Sequence, residues 1–213
     1  MTFVSEPLVS VTSIETGSLM SMTTSPAPLK PEALETIKRV RDAIRSIPDF
    51  PKPGILFRDF TPILADHTLF DITLAWFEYH LKQQNVDYIV GIESRGFIVG
   101  AALAHKMDIG FVPARKKGKL PGDVVSYEYE LEYGTDTIQM VKGAMPTGSR
   151  VAVVDDLLAT GGTANATIQL CRKIDVTVVA ALFMMELTFL NGRNALPQEI
   201  PIHTMVPYHD ETP

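Results

Sequence analysis

Residues 150–163 read R-V-A-V-V-D-D-L-L-A-T-G-G-T, and this stretch decides the fold. Its four apolar residues at positions 151–154 favour a short β-strand that is buried on both faces. Two carboxylates, Asp155 and Asp156, come where that strand should end. A strand of this kind is typical of the parallel sheet at the centre of an α/β protein.

The residues that follow the two carboxylates predict a phosphate site. Small residues at positions 159–163 form a turn, and residues 164–172 have the pattern of a helix. A strand, a turn and a helix in this order gather backbone N–H groups and a helix N-terminus around one point, which suits a phosphate. Carboxylate oxygens only accept hydrogen bonds, so the two Asp side chains suit sugar hydroxyls or a metal-bound group beside it. The pattern indicates a ribose 5-phosphate site, but an ordinary structural turn is about as compatible with it.

Other phosphate-binding loops are missing from the sequence. Neither G-x-x-x-x-G-K followed by Ser or Thr nor G-x-G-x-x-G occurs in the chain. The phosphate interpretation therefore depends on the turn at residues 159–163.

The composition is that of an ordinary globular protein. At 213 residues, the chain can form one well-buried α/β domain, or two only if both are small. A formal net charge of −6 argues against broad binding to nucleic acid or to anionic membranes. Cys171 is the single cysteine and the five His show no zinc spacing, so neither an intrachain disulfide nor a zinc cluster is expected.

Residues 1–30 are rich in Ser, Thr and Pro, and we expect them to form a disordered leader outside the fold. They lack the basic and apolar segments of a secretory signal and the Arg content of a transit peptide. The longest apolar run, residues 176–185, is about half a membrane span. A cytoplasmic protein is therefore expected, and the role of the leader stays open.

A second strand-to-helix turn lies about sixty residues earlier. Residues 87–92 predict a central strand, which is followed by Glu93, Ser94 and Arg95 and then by a helix to residue 106. In an open parallel sheet, ligands bind at the carboxyl ends of the strands, so we expect Arg95 to lie beside the two carboxylates. A surface ion pair between Arg and Glu is an equally open interpretation of this turn.

A basic loop and a hairpin separate these two turns. Residues 115–119 hold four of the 19 basic residues, which fits either a flexible cover for a polyphosphate or a solvated face. Residues 126–133 alternate between apolar or aromatic and polar side chains, and residues 137–141 form a second extended segment. Together they predict an antiparallel hairpin.

The remaining elements complete a parallel twisted sheet that is covered on both faces. We expect a helix over residues 31–47, a strand at 55–57, and a helix from Asp66 or Thr68 to about residue 84. Further strands are predicted at 111–114, 176–185 and 202–206, with a turn at 191–193.

Six segments, in this order and spacing, resemble the adenine phosphoribosyltransferases, which are type I phosphoribosyltransferases. They read R-S-I-P-D-F-P-K-P-G-I-L-F-R-D, G-I-E-S-R-G-F-I-V-G, R-K-K-G-K-L-P-G, Y-E-L-E-Y-G, D-D-L-L-A-T-G-G-T and M-E-L-T. The resemblance covers about residues 40–190. The Asp-Asp loop resembles the phosphoribosyl diphosphate (PRPP) loop of the whole superfamily, whereas P-D-F-P-x-P-G-I-x-F-R-D and L-E-Y-G indicate adenine. Glu93 stands where some members have Asp, a conservative difference.

The resemblance implies a fold and a reaction. The fold is an α/β type I phosphoribosyltransferase with a central, mainly parallel twisted sheet flanked by helices, as a single domain over residues 31–213. Residues 31–60 and the C-terminal segment would form a small hood, and residues 115–141 a mobile antiparallel hairpin lid. The reaction converts adenine and PRPP to AMP and diphosphate in purine salvage. Mg²⁺ would be held mainly by PRPP, without a direct protein ligand, and the chain would form a homodimer.

The resemblance also implies a role for individual residues. Glu132 would handle the proton of the base, and Tyr133 would pack near the ribose. The peptide bond between Glu93 and Ser94 would be cis. The 5′-phosphate would be bound by Ala159, Thr160, Gly161, Gly162 and Thr163, and the ribose hydroxyls by Asp155 and Asp156. The diphosphate would be bound by Ser94, Arg95, Arg115 and Lys119, and adenine by Leu56, Phe57, Arg58 and Leu187.

Two alternatives stay open at this point. The chain could be a phosphoribosyltransferase for another base, such as hypoxanthine, xanthine or orotate, or a PRPP-sensing regulator without catalytic activity. A regulator would be expected to have a DNA-binding domain, for which the leader is too short. Glu132 also favours an enzyme, because a sensor has no need of it.

Overall fold

A seven-stranded twisted sheet forms the centre of the protein, whose computed structural model describes residues 31–131 and 134–211. The strand order is β5-β6-β4-β3-β7-β8-β9, and a separate pair, β1 and β2, lies outside this sheet. The strands are β1 (Arg45–Ile47), β2 (Phe57–Asp59), β3 (Tyr88–Ile92), β4 (Gly110–Lys116), β5 (Val124–Leu131), β6 (Gly134–Val141), β7 (Arg150–Leu158), β8 (Thr177–Leu187) and β9 (Ile202–Tyr208).

The sheet is mainly parallel. Strands β4, β3, β7, β8 and β9 pair in parallel, whereas β5 and β6 form an antiparallel hairpin whose second strand joins β4. The hairpin and the parallel centre were both predicted from the sequence, and the structure confirms them. The carboxyl ends of β3 and β7 lie side by side because these two strands are neighbours.

Strand β7 is buried on both faces, as its sequence predicts. Val151 and Val153 point into one core and Ala152 and Val154 into the other, and all four are fully buried. The prediction that the strand ends before Asp155 is wrong. The strand continues to Leu158 because β8 is long enough to pair with it.

Five α-helices in the described part of the chain cover the sheet. They are α1 (Pro31–Ala43), α2 (Thr61–Ala65), α3 (His67–Leu81), α4 (Arg95–Lys106) and α5 (Gly162–Lys173). Asp66 caps α3, since its side chain accepts hydrogen bonds from the backbone N–H groups of Thr68 and Leu69. Residues of α1 to α4 contribute to one core, whereas α5 contributes to the other, so the two faces have separate hydrophobic cores.

The structure corrects two predicted boundaries near the N-terminal end of the fold and adds one helix there. Helix α1 stops at Ala43, because the next residues pair with β2 and Arg45 donates a hydrogen bond to Asp59 (2.9 Å). The predicted strand at 55–57 starts only at Phe57, because Ile55 still closes a turn with Lys52. Helix α2 was not predicted.

Some predictions concern residues outside the described ranges. The leader at residues 1–30, Glu132 and Tyr133 belong to this group. None of the helices in residues 31–131 and 134–211 has the length and apolar content that a membrane crossing requires.

Candidate active site

A cleft of about 240 Å³ opens at the carboxyl ends of β3 and β7. Two of the loops that the sequence analysis singled out line it, one after each strand. The predicted site residues that meet there are Arg95, Asp155, Asp156, Ala159, Thr160, Gly161, Gly162 and Thr163. The structure therefore brings together the predicted phosphate loop, the paired carboxylates and Arg95, one of the residues predicted to bind the diphosphate.

Close packing of α4 on β7 brings the two loops together. A Cβ atom on Gly96 would lie 2.8 Å from both Val154 O and Asp155 Oδ1. A larger residue at this position would push the start of α4 away from the strand. As a result, Arg95 Nε lies 3.1 Å from Asp156 Oδ2, as predicted from the order of the turns.

The two carboxylates differ in their partners. Asp155 Oδ1 accepts a hydrogen bond from the Asp156 backbone N–H (2.9 Å). Asp156 is 2% exposed, and within the described ranges its Oδ2 atom is buried without a hydrogen bond. Burial raises the pKa of both carboxyl groups, and repulsion from Asp156 raises that of Asp155 further, while the Arg95 guanidinium offsets part of the increase. This oxygen is ion-paired with Arg95 but lacks a hydrogen bond, so beside a phosphate loop it is suited to a ligand hydroxyl.

The predicted phosphate loop leads directly into α5. Gly161 is left-handed (φ +81°) and precedes the first residue of the helix. The helix N-terminus and the loop N–H groups are therefore available to an anion. Thr163, in the first turn, lies within hydrogen-bond distance of the Tyr129 hydroxyl on the hairpin (3.1 Å).

The other predicted diphosphate residues lie next to the cleft. The Glu93–Ser94 peptide bond is cis, as expected, and Ser94 is exposed at the start of α4. Arg115 donates to Glu93 (3.3 Å), and Lys119 also pairs with Glu93. Burial opposes ionisation of Glu93, but hydrogen bonds from Lys119, the Lys116 backbone and Arg115 outweigh it, so the pKa of Glu93 is lowered. The structure places these two cations on Glu93 rather than along the cleft.

A second cavity, of about 230 Å³, holds three of the four residues predicted to contact a base. Leu56, Arg58 and Leu187 line it together with Phe189 and Leu190. Phe57, the fourth, lies beside Arg95, whose guanidinium is 5.3 Å from its ring. Phe57 therefore stands between the predicted base pocket and the cleft.

The Arg58 side chain contacts residues of β1 and β9. It is 5% exposed, donates to Ser46 Oγ and stacks on the Tyr208 ring (4.0 Å). The expectation that backbone groups of Arg58 read the base edge stays a prediction.

Lys116, Tyr129 and Asp136 form a contact group that was not predicted from the sequence. Lys116 donates to the Tyr129 hydroxyl (2.7 Å) and pairs with Asp136, and Lys116 also lines the cleft. The hairpin is thus connected through Tyr129 to Thr163. Lys116 was visible as part of the basic loop, but its choice of partners depends on the pairing of β4 with β6.

Replacing Tyr129 with Phe tests this connection. We expect the affinity for ribose 5-phosphate to fall about threefold to tenfold, because Thr163 and Lys116 each lose one hydrogen-bond partner. Titration calorimetry measures this affinity, and Tyr127→Phe on the same strand is the matched control. Equal affinities for the two variants would contradict a role of the hydroxyl in the phosphate loop.

Comparison with known proteins shows close relatives. Residues 64–194 match the family model described as a phosphoribosyl transferase domain. Adenine phosphoribosyltransferase of Acaryochloris marina is 53% identical over 169 residues, which are 79% of this chain and 99% of that protein.

Solved structures agree with this similarity. The structure of adenine phosphoribosyltransferase of Rhodothermus marinus matches with a TM-score of 0.79 and 47% identity, over 82% of this chain and 99% of that chain. The Saccharomyces cerevisiae enzyme, solved with adenine and D-2,5-dideoxy-2,5-imino-altritol 1,6-bisphosphate, matches with a TM-score of 0.77 and 42% identity, over 81% and 99%.

Proposed function

The chain belongs to the adenine phosphoribosyltransferase family, and from this premise we propose which of its residues carry out the reaction. The enzyme transfers the 5-phosphoribosyl group of PRPP to adenine and produces AMP and diphosphate. In this reaction the bond from C1′ to the diphosphate oxygen breaks, a bond from C1′ to adenine N9 forms, and N9 loses its proton. The residues must therefore hold a sugar phosphate, stabilise a departing anion and accept a proton.

The buried Asp156 Oδ2 atom, which is ion-paired with Arg95 but has no hydrogen bond within the described residues, is the observation that carries the assignment of the ribose site. It lies in the same cleft as the phosphate loop, so a ribose whose 5′-phosphate sits on that loop can donate a hydroxyl to it. Asp155 would accept the second hydroxyl. The 5′-phosphate would take its hydrogen bonds from residues 159–163 and from the N-terminus of α5.

Cations around the cleft would stabilise the diphosphate as it leaves. Arg95 already lies in the cleft, and Ser94 adds donors beside it. Arg115 and Lys119 are paired with Glu93, and they would exchange this carboxylate for the diphosphate when the hairpin closes as a lid. Lid closure would also exclude water, which would otherwise compete with adenine for C1′.

Mg²⁺ fits this site. It prefers oxygen ligands, and the cleft offers the Asp155 and Asp156 carboxylates in addition to the oxygens of PRPP. We propose that PRPP supplies most of the oxygen ligands of Mg²⁺. The two Asp side chains would interact with the ion mainly through the ribose hydroxyls. When bound, the ion would neutralise charge that develops on the diphosphate.

Adenine would occupy the second cavity. Phe57 and Leu187 would lie on the two faces of the ring, and Leu56 would close the pocket. The backbone of Arg58 would read the base edge, since a carbonyl can accept from the exocyclic amine. Glu132 would accept the N9 proton and Tyr133 would pack near the ribose.

We further propose a homodimer that acts in cytoplasmic purine salvage. The membership of the family supports the homodimer. A reaction that recovers a nucleotide from a free base supports the role in purine salvage. The mass of the protein in solution tests the assembly, because a dimer has twice the 23.5 kDa of one chain.

Replacing Asp156 with Asn tests the ribose assignment. We expect the dissociation constant of PRPP to rise about tenfold or more, because a charged acceptor of a hydroxyl becomes neutral. The unfolding temperature of the variant should equal that of the wild type, because burial already disfavours the charge of the Asp156 carboxyl and raises its pKa.

A matched control for this variant is Asp71→Asn, which changes an exposed carboxylate paired with Lys106. Calorimetric titration with PRPP and Mg²⁺ measures both variants. An Asp156→Asn affinity as high as that of the control would remove the ribose role.

A further inference from the structure

A short segment packs against the back of the phosphate loop. It is the 3₁₀ turn Gly192–Ala195, which follows β8 and a first turn at Thr188–Leu190. A Cβ atom on Gly192 would lie 2.1 Å from Ala159 O, and one on Gly161 would lie 2.3 Å from Gly192 O. The two backbones therefore touch without room for a side chain, so a shift of the segment must shift the loop.

Arg193 fixes the position of this segment. Its Nε donates to Glu186 Oε1 (2.8 Å) and its Nη2 to Glu186 Oε2 (2.9 Å), a bidentate pair. It also donates to Ile202 O (3.1 Å) and to Thr204 Oγ1 (2.9 Å) on β9. The Arg193 guanidinium thus donates four hydrogen bonds to β8 and β9, and these favour one position of the segment.

The carboxylate that receives Arg193 is buried. Glu186 is 4% exposed and also accepts from Thr204 Oγ1 (2.7 Å). Burial opposes its ionisation, but the hydrogen bonds from Arg193 and Thr204 prevail and the pKa of Glu186 is lowered. The Arg193 side chain itself is 45% exposed, but any displacement of it would leave the buried Glu186 charge without compensation.

We propose that Arg193 is a positioning residue for the 5′-phosphate loop, acting through Gly192 on Ala159 and Gly161. The inference rests on the proposed role of that loop and extends it to a residue that does not touch the substrate. The chain offers a contrast in the pair of Arg172 and Glu199, in which the arginine is about as exposed as Arg193 (42% against 45%) but the carboxylate is 67% exposed instead of buried. A lysine in place of Arg193 would keep the charge but lose the bidentate geometry.

The test compares Arg193→Lys with Arg172→Lys in the full chain. Each protein is titrated with ribose 5-phosphate and, separately, with diphosphate. For Arg193→Lys we expect the affinity for ribose 5-phosphate to fall about tenfold or more, because a small misplacement of a binding loop is costly. The affinity for diphosphate should change less than about twofold, and Arg172→Lys should leave both affinities near those of the wild type.

A second variant keeps the ion pair and tests the contact itself. Gly192→Ala places a methyl group where Ala159 O stands, so it should weaken ribose 5-phosphate binding to a similar degree. Unchanged ribose 5-phosphate binding in Arg193→Lys would overturn the inference. So would equal losses for both ligands with a lower unfolding temperature, which would indicate a general structural role.

These titrations do not depend on turnover. A wild-type protein that binds ribose 5-phosphate but forms no AMP would refute the proposed function, whereas the positioning role of Arg193 would still be judged by the affinities.

Discussion

We expect the replacement of Glu132 with Gln to lower turnover by about a hundredfold to ten-thousandfold, the range for loss of a general base. Adenine N9 must lose a proton as it bonds to C1′, and an amide cannot accept one. The carboxylate is not needed to hold the sugar phosphate, so the affinity for PRPP should stay within about twofold of the wild type. Single-turnover kinetics and a PRPP titration measure the two effects separately.

Glu130→Gln is the matched control for this variant. Glu130 lies two residues earlier in the sequence, on β5, is exposed and pairs across the hairpin with Thr135. The Glu130→Gln replacement changes the net charge by the same amount as Glu132→Gln but leaves the proposed base in place. A Glu132→Gln enzyme with the turnover of Glu130→Gln would take away the catalytic assignment.

We expect the replacement of Gly161 with Ala to lower the affinity for PRPP by about a hundredfold. The new Cβ would lie 2.3 Å from the backbone oxygen of Gly192, and the left-handed φ of +81° already disfavours a side chain. The loop must therefore leave its position on the segment behind it, and its N–H groups lose their common focus. Titration with PRPP and Mg²⁺ gives the change directly.

Gly148→Ala separates the strain of the backbone from the collision. Gly148 has a φ of +83° and open space where a Cβ would stand, and it lies outside the cleft. It should reduce the stability of the protein by about 1–2 kcal/mol without weakening PRPP binding. A Gly161→Ala protein that binds PRPP as tightly as Gly148→Ala would contradict the proposed phosphate loop.

The sequence predicted the parts of the site that depend on local pattern. The apolar residues at 151–154, the paired carboxylates and the small residues at 159–163 lie in one stretch, so strand, turn and helix follow from it. The neighbouring position of Arg95 followed from a general property of parallel sheets, whose carboxyl ends share one edge.

Features that depend on pairing between distant segments could not be predicted. Strand β7 runs past Asp155 because β8 continues beside it, and no local pattern encodes the length of a partner strand. The same holds for β1, which leaves a helical pattern in order to pair with β2.

Side-chain partners were the least predictable features. Lys116 lies in a basic run that also fits a solvated face, but it contacts Tyr129 and Asp136. Arg193 was visible only as part of a turn, whereas its role depends on a carboxylate seven residues earlier and on β9. Both depend on which segments the sheet brings together.

The most direct test of the account is the formation of AMP from adenine, PRPP and Mg²⁺ by the purified protein, with hypoxanthine and guanine in parallel. The account predicts AMP from adenine and little or no product from the other two bases. Turnover of hypoxanthine or guanine in preference to adenine would contradict the assignment of the base pocket. Absence of product from every base, with PRPP still bound, would contradict the enzymatic function itself.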